Sequence, residues 1–348
     1  MERRSFLKGA TAFGVATTAL SKGAWASDRP LTFVSWGGAL SDMETAAFVE
    51  PFGTQQGIEV ISTSPTQYAK IKAMVQSGNV EWDVVTVGGR FAYDGADEGV
   101  LENIDYDAIP NAAALDKNLR GPYGVATSLG ATVMAWNTDQ IKEAPETWAD
   151  FWDTKSFPGA RGLYKHMYYN YEIALLAAGL KEDEIYPVTD EKIAMMFGKL
   201  NELKPDVRVW WGSGSQAPQL LSSGELAMCS AYDGRIKAVK GENAPVDFTY
   251  GDGVAWGNVA VVPKGTPNKQ AAMELINYAV GAEAQERIAN SGVYAPVLSS
   301  VAAAAADDVR STFASAPENL SRMLVINEEQ AAHYVKKYQT QWQEFQLA

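Results

Sequence analysis

Cysteine and histidine are almost absent from this chain of 348 residues, which has one cysteine, Cys229, and two histidines, His166 and His333. A single cysteine forms no internal disulfide, and the apolar residues 226–228 before it are typical of a small core residue. Two histidines are too few for a histidine-built metal site, so we expect neither a metal nor a cofactor. The sequence also lacks a Gly-x-Ser-x-Gly nucleophile elbow and a Walker loop, and we therefore expect no enzyme.

Positive charge is also scarce, because 29 Lys and Arg face 42 Asp and Glu and leave a net charge of −13. Residues 1–26 carry four cations and one anion, which leaves −16 for residues 27–348. A surface that acidic repels nucleic acid and anionic lipid and suits a soluble protein that collects cations. Hydrophobic residues make up 47% of the chain, which is enough for the cores of two domains at this length.

The N-terminus has the order of features found in an export signal. Arg3 and Arg4 precede Ser-Phe-Leu-Lys, a run similar to the bacterial twin-arginine signal. The apolar stretch at residues 9–20 is shorter than the roughly 20 residues that span a bilayer. Residues 24–26, Ala-Trp-Ala, have the form of a signal-peptidase site. We predict that residues 1–26 are a signal peptide and that the mature protein is periplasmic.

Strand and helix patterns alternate along the rest of the chain, which predicts an α/β fold with parallel sheets. Ligands of such sheets bind beyond the carboxyl ends of the strands. The predicted strands are 31–35, 58–62, 82–87, 207–211, 226–231 and 254–262, with extended structure over 123–136. The predicted helices are 42–55, 68–76, 147–153, 171–180, 190–203, 217–223, 269–289 and 328–345, and a helix is expected to start in the alanine run 302–306.

Five segments resemble, in order, the spermidine/putrescine-binding branch of the periplasmic solute-binding proteins. The most specific is Pro-Glu-Thr-Trp-Ala-Asp-Phe-Trp-Asp at 145–153, and the others are 157–161, 172–177, 219–225 and 256–263. The resemblance extends from about Leu31 to the C-terminus.

This resemblance implies a two-lobed periplasmic-binding-protein fold of type II with two hinge crossovers. It places lobe 1 at 27–130 plus 259–300, and lobe 2 at 131–258 plus 301–348. It implies that a monomer captures a small amine-containing solute by lobe closure and delivers it to an ABC-transporter membrane permease.

Aromatic rings are the expected ligand contacts, because an ammonium over a ring face gains about 0.5–2 kcal/mol. The residues that align with ring positions of the family are Trp36, Tyr232, Trp256 and Tyr294. Tyr68 and Trp211 are nearby candidates, whereas Trp148 and Trp152, four residues apart on a helix, are expected in the core.

The acids depart from the family pattern. His166, Tyr169 and Asn258 align with positions where the polyamine binders carry carboxylates. Asp233 and Glu172 remain as candidates to hold an amine, although each is equally a structural carboxylate, with Arg235 the expected partner of Asp233.

Donors for an anion occur at two strand ends. The glycines Gly37 and Gly89 bring backbone close to the cleft, and Arg90 could hold a carboxylate bidentately. Ser213 opens a helix whose N–H groups could receive an anion or be capped locally. Fewer acids and more donors favour an amino-acid or betaine-like zwitterion such as γ-aminobutyrate over a polyamine.

Two alternatives remain open at this level. Tyr168 and Tyr169 form a tyrosine pair of the kind used by ferric-iron-binding relatives of the same fold. Residues 212–217 match a loose G-x-G-x-x-A pattern after a strand, the one motif that favours an exported α/β enzyme.

Overall fold

The computed structural model describes residues 29–347, so the predicted signal peptide lies outside the described residues. None of the helices between these limits combines the length and apolar character that a bilayer crossing needs.

The strands are β1 (Leu31–Val34), β2 (Val60–Thr63), β3 (Val84–Gly88), β4 (Arg120–Gly121), β5 (Gly124–Asn137), β6 (Arg161–Tyr164), β7 (Val207–Trp211), β8 (Met228–Tyr232), β9 (Val246–Val261) and β10 (Leu324–Val325).

The helices are α1 (Ala39–Glu44), α2 (Glu50–Gln56), α3 (Tyr68–Ser77), α4 (Gly89–Asp97), α5 (Trp148–Trp152), α6 (Met167–Ala177), α7 (Glu182–Ile185), α8 (Asp190–Leu203), α9 (Gln216–Ser222), α10 (Asp233–Gly241), α11 (Lys269–Ala279), α12 (Ala282–Ser291), α13 (Ser299–Ala304), α14 (Asp307–Arg310), α15 (Pro317–Leu320), α16 (Glu328–Lys337) and α17 (Gln339–Leu347). A π-helical segment, Thr45–Val49, joins α1 to α2.

The strands follow the order β2-β1-β3-β9-β5-β8-β6-β7. On one side β2, β1 and β3 are parallel, and on the other β8, β6 and β7 are parallel. The long antiparallel pair β5 and β9 runs between the two groups and belongs to both. The α/β two-lobed fold is therefore confirmed, with two strands crossing from one half to the other.

The β5–β9 ladder is irregular at two places, between Ala126 and Ser128 and between Thr132 and Met134. The first irregularity adds one residue, Thr127, on β5, and at the second, residues 250–253 of β9 stand opposite Val133 alone. Extra residues on one strand bend the ladder and increase its twist. The backbone carbonyl of Thr127 at the first irregularity accepts a hydrogen bond from the buried side chain of Gln285 at 2.9 Å. The bend is thus supported by α12.

Several predicted boundaries were wrong. β9 begins at Val246, eight residues before the predicted start, whereas the extended segment predicted at 123–136 is confirmed as the single strand β5. The two long predicted helices are each divided, at Gly281 and at Tyr338, where the backbone leaves the helical conformation. The alanine run ends helix α13 and does not start one. Apolar periodicity continued through these breaks, so the pattern alone did not reveal them.

Within the motif at 145–153, Trp148 is in the core as expected, whereas Trp152 is only half-buried and packs against the core. Trp148 is fully buried, and its indole N–H donates to the carbonyl of Asp252 at 2.8 Å. The indole N–H of Trp152 donates to the carbonyl of Lys199 at 2.8 Å. Both tryptophans therefore tie α5 to neighbouring elements.

Candidate functional site

The carboxyl ends of the two parallel strand groups face each other. β1 leads into Trp36 and two glycines with positive φ, Gly37 at 86° and Gly38 at 61°. The guanidinium of Arg235, on α10 after β8, donates to the carbonyl of Gly37 at 3.0 Å. On the same edge β3 leads directly into α4. The structure therefore brings strand ends from both halves into contact.

Six rings form a continuous group at this edge, which we name the ring cluster: Tyr164, Tyr169, Trp211, Tyr232, Trp256 and Tyr294. The Tyr232 ring centre lies 5.2 Å from that of Trp211 and 5.3 Å from that of Trp256. Trp256 is in turn 6.1 Å from Tyr294 and 6.3 Å from Tyr169. These spacings are those of interacting aromatic pairs.

Three further rings lie on the β1–β3 side. Trp36 is 37% exposed and meets Tyr68 edge to face at 5.7 Å. Tyr68 stacks on Phe91 at 4.0 Å, and its hydroxyl accepts the backbone N–H of Gly88 at 3.2 Å. Burial raises the pKa of Tyr68, and Tyr164 of the ring cluster contributes to that rise. The two ring groups are therefore close neighbours.

The Tyr169 ring enters the cluster through an unusual backbone conformation. Its φ is 69°, and Tyr168 and Tyr169 both depart from helical geometry near the start of α6. A bulky residue with positive φ is uncommon, and such strain is concentrated at functional sites. We infer that this turn serves to aim the buried tyrosine ring.

The two acids named from sequence both have their hydrogen-bonding capacity met by nearby protein groups. Asp233 accepts from the backbone N–H of Ala131 at 3.0 Å and from the Tyr250 hydroxyl at 2.9 Å, and its ion-pair partner is Lys237 at 3.3 Å. The prediction that Arg235 pairs with Asp233 was wrong. Lys237 lies one helical turn after Asp233, so the two side chains lie on the same face of α10 and meet.

Glu172 is fully buried beneath the C-terminal segment. It accepts hydrogen bonds from the hydroxyls of Tyr186 at 2.8 Å and Tyr334 at 3.0 Å. Burial raises its pKa to about 7. These contacts hold α16 against α6.

A third carboxyl group, Glu328, is the acid that the sequence did not indicate. It is the first residue of α16, and its Oε2 accepts from the Tyr168 hydroxyl at 2.5 Å. Its Oε1 is buried and makes no well-formed hydrogen bond among the described residues. Burial raises the pKa of Glu328 to about 8, and Glu172 adds to that rise. The Tyr168 hydroxyl opposes it, as do the charge of Arg90 and the nearby backbone N–H of Arg90 at the start of α4.

Arg90 lies beside this carboxyl group. Its guanidinium forms an ion pair with Asp94, one turn further along α4, and lies 5.7 Å from the Tyr168 ring centre. Arg235 lies at the other end of the ring cluster, within hydrogen-bonding reach of the Tyr294 hydroxyl. The two cations therefore occupy opposite ends of the row of rings.

The other polar candidates are occupied locally. Ser213 is exposed, and its backbone N–H donates to the Gln216 side chain at 3.1 Å, which is local capping. Asn258 is buried between the crossing strands, and its side chain donates to Ser128 at 3.0 Å. The His166 side chain reaches solvent, but partial burial and the charges of Lys165 and Arg90 lower its pKa to about 4. The imidazole is therefore neutral at pH 7.

The tyrosine pair that suggested iron has other partners here. Tyr168 donates to Glu328, and Tyr169 packs 4.0 Å from the Tyr168 ring. Within residues 29–347 no group of three His, Cys, Asp or Glu side chains is placed to hold a metal ion.

The structure thus brings together Trp36, Gly37, Tyr68, Gly89, Arg90, Tyr169, Trp211, Tyr232, Trp256 and Tyr294 around one interface between the halves. Glu172, Asp233, Ser213 and Asn258 make their hydrogen bonds outside it. Sequence reasoning missed Tyr164, Arg235 as a cleft residue, and Glu328. The signal for Tyr164 was its place at the end of a strand; Glu328 had no local signal beyond a helix start after Asn327.

Comparison with known proteins supports this architecture. Residues 47–318 match the family described as bacterial extracellular solute-binding protein. The γ-aminobutyric acid-binding protein of Pseudomonas aeruginosa is 35% identical over 91% of this chain and 90% of its own length. Spermidine/putrescine-binding periplasmic protein 1 of Haemophilus influenzae is 29% identical over 69% of this chain and 68% of its own.

Solved structures agree. A structure described as the Atu4243–GABA receptor is 33% identical, has a TM-score of 0.81, and covers 91% of this chain and 98% of its own. The periplasmic binding protein MotA of A. tumefaciens B6, in complex with glucopine, is 30% identical with a TM-score of 0.84 over 91% and 99% of the two chains. The chain belongs to the bacterial extracellular solute-binding proteins, whose relatives here serve ABC transporters.

Proposed function

We propose that this solute-binding protein captures a short zwitterion, with an amine at one end and a carboxylate at the other, and delivers it to the permease of an ABC importer. γ-Aminobutyrate is the example we favour. The observation that carries this proposal is the buried carboxyl group of Glu328 at one end of a row of rings, where Oε1 lacks a well-formed hydrogen bond, with the guanidinium of Arg235 at the other. Two similar proteins named for γ-aminobutyrate support it.

The amine end is assigned to Glu328. The carboxyl group has one oxygen engaged by Tyr168, and the other is buried without a well-formed hydrogen bond, near the backbone N–H of Arg90. A buried acceptor without a partner costs about 1–3 kcal/mol, and an ammonium donating to Oε1 would remove that cost. The faces of Tyr168 and Tyr169 would add cation–π attraction. Burial raises the pKa of Glu328 to about 8, so the carboxyl group is largely protonated at pH 7 when no ligand is bound. An ammonium beside it favours the ionised form, and binding should therefore release a proton.

The carboxylate end is assigned to Arg235. A guanidinium has five N–H donors, and the carbonyl of Gly37 takes one of those of Arg235. The remaining donors can hold a carboxylate in the bidentate geometry that arginine favours. Arg90 is less suited, since it is paired with Asp94 and adjoins Glu328 at the amine end. The proposal therefore moves the carboxylate from Arg90 to Arg235.

A polyamine fits this arrangement less well. Its second ammonium would lie near the cation Arg235, and the neighbouring acid Asp233 already has three partners. A buried ammonium without a counter-charge costs several kcal/mol. We accordingly rank putrescine and spermidine below the zwitterion as ligands.

The lobe division that we propose is residues up to 130 plus 259–300, and 131–258 plus 301–348. It is supported by the crossing of β5 and β9 and by the irregular ladder near Ser128. Hinge closure of two lobes around a ligand is the usual motion of periplasmic binders. In this division Gly89 belongs to lobe 1, and Arg235 and Glu328 belong to lobe 2.

Calorimetric titration at fixed salt and pH 7 tests the ligand. We expect γ-aminobutyrate to bind more tightly than putrescine or spermidine. Glu328→Gln and Arg235→Ala should each weaken that binding by about 2–5 kcal/mol, as truncation of one partner in a buried charge pair does. Glu225→Gln, at an exposed position, is the matched control.

Two results would contradict the proposal in different ways. A polyamine bound at micromolar affinity or better, unaffected by Arg235→Ala, would replace the zwitterion by a polyamine. An effect of Arg90→Ala on γ-aminobutyrate binding as large as that of Arg235→Ala would leave the ligand class standing and return the carboxylate to Arg90.

A further inference from the structure

Two glycine pairs at strand ends of lobe 1 receive charged side chains from lobe 2. Gly37 and Gly38 follow β1 and lie under Arg235, and Gly88 and Gly89 end β3 and begin α4 under Glu328. The two charged residues are those to which the proposed function assigns the ends of the ligand. The two charged residues that meet the glycines across the cleft are therefore the same two that are proposed to bind the ligand.

The fit at Gly89 leaves no room for a side chain. A Cβ at this position would lie 2.5 Å from Oε1, 2.7 Å from Cδ and 2.8 Å from Cγ of Glu328, distances that real Cβ atoms do not show. Gly89 is not one of the glycines with positive φ, so its backbone conformation is open to alanine. The absence of a side chain is required only by the approach of Glu328.

Glu328 cannot easily move aside to admit a Cβ. Its Oε2 is held by the Tyr168 hydroxyl, and its Oε1 is buried. Turning the side chain away would break that hydrogen bond and remove the carboxylate from the row of rings. The alternative is that the lobes stay further apart, since α4 and α16 meet at this point.

We propose that Gly89 is a positioning residue, a seat on lobe 1 that admits the Glu328 carboxylate of lobe 2 and so makes lobe closure and amine recognition one event. The inference rests on the proposed role of Glu328. When the lobes are apart, a long side chain at the start of a helix is free to change rotamer. Closure onto the glycine seat selects the single orientation in which Oε1 is available to an ammonium.

The experiment compares Gly89→Ala with Gly198→Ala. Gly198 lies on α8, also without positive φ, and a Cβ there would meet nothing within 4 Å. The third variant combines Gly89→Ala with Glu328→Ala, which removes the carboxylate and restores the space. Thermal unfolding of each variant verifies that it is folded.

Closure is read from cross-linking at the seam between α4 and α16. Asp97 and Lys336 form an exposed ion pair at 3.6 Å across this seam. Asp97→Cys and Lys336→Cys introduced together report closure through their reaction rate with a short bis-maleimide, and the native Cys229 is buried. Because the cross-link accumulates, it detects closed molecules even when they are a minor population and no ligand is bound.

We expect Gly89→Ala to slow cross-linking and to weaken γ-aminobutyrate binding by about tenfold or more, since apparent affinity falls with the closed fraction. Gly198→Ala should match the parent in both. The double variant should cross-link as fast as the parent again while its amine binding stays weak. That combination is not expected from a general loss of stability.

Equal cross-linking rates for Gly89→Ala and Gly198→Ala would overturn the seat, whatever the ligand is. If the parent cross-links faster than Gly89→Ala but does not bind γ-aminobutyrate, the seat stands and the proposed ligand fails. If Gly89→Ala cross-links slowly and the double variant does so too, the defect does not come from Glu328 and the seat is again excluded.

Discussion

At the scale of single residues, the hydrogen-bond partners of a buried carboxyl group distinguish a structural acid from one that is available to bind a ligand. Asp233 accepts hydrogen bonds from a backbone N–H and a tyrosine hydroxyl and is paired with a lysine. Glu172 accepts hydrogen bonds from two tyrosine hydroxyls. Glu328 has one oxygen without a well-formed hydrogen bond, although the backbone N–H of Arg90 lies near the carboxyl group. A carboxylate that is fully hydrogen-bonded gains little from a further donor, whereas an unpartnered buried oxygen gains the full interaction. Residue type alone does not distinguish the two.

The buried acid Glu172 should make stability depend on pH. Burial raises its pKa from 4.5 to about 7, so the folded protein binds a proton that the unfolded chain releases between these values. The contribution of Glu172 to the free energy of unfolding is therefore complete below about pH 4.5 and is lost as the pH rises through 7. In urea unfolding, the free energy of unfolding of Glu172→Gln relative to that of the parent should rise by about 1–3 kcal/mol between pH 5 and pH 8.

The matched control for this titration is Glu225→Gln, whose side chain is exposed. Its stability difference from the parent should not change over the same range. A Glu172→Gln difference that is equally flat would show that Glu172 keeps its charge in the folded state.

At the scale of elements, the irregular β5–β9 ladder joins the two halves of the sheet. The buried side chain of Gln285 satisfies three backbone groups around it. It donates to the carbonyls of Thr127 at 2.9 Å and Ala279 at 2.8 Å, and it accepts from the N–H of Val297 at 2.7 Å. One amide thus binds the carbonyl of the extra residue in β5 and ties it to the end of α11 and to the segment after α12.

Replacing this amide should destabilise the molecule. Gln285→Leu keeps the volume and leaves buried backbone groups without partners, each at about 1–3 kcal/mol. We expect a loss of about 2–5 kcal/mol in the free energy of unfolding, measured by denaturant titration. Gln270→Leu, at an exposed position on α11, should stay within about 0.5 kcal/mol of the parent. A similarly small effect at Gln285 would mean that water replaces the amide.

At the scale of the whole molecule, closure and export are the two properties that the chain must combine. Residues 27–348 are strongly acidic, whereas residues 1–26 are basic with a net charge of +3. We propose that the basic segment is a twin-arginine signal peptide, removed after residue 26, and that the acidic remainder works in the periplasm.

Export should therefore depend on the arginine pair. Replacement of Arg3 and Arg4 together by lysine should abolish appearance of the protein in the periplasmic fraction, because the twin-arginine pathway reads that pair. Immunoblots of periplasm and cytoplasm measure it, with Lys8→Arg as a control that keeps the charge. An unchanged periplasmic yield from the double lysine variant would favour the general secretory route.

The sequence by itself determined the alternation of strands and helices, the positions of the rings at strand ends, and the resemblance to a solute-binding family. These properties are local: periodicity extends over one element, and a strand end is visible in its own turn. Tyr232 is accordingly the last residue of β8, at the strand end that its pattern indicated. Trp256 lies inside β9, because that strand begins eight residues earlier than its pattern indicated.

Only the tertiary structure decided which charged groups are free to meet a ligand. The partners are remote in the chain: Tyr334 is 162 residues from Glu172, Tyr168 is 160 residues from Glu328, and Gly37 is 198 residues from Arg235. Hydrogen bonds between such residues form only when the halves of the molecule pack together. Whether a buried acid is satisfied or left with a free oxygen is a property of that packing, and no local pattern in the sequence encodes it.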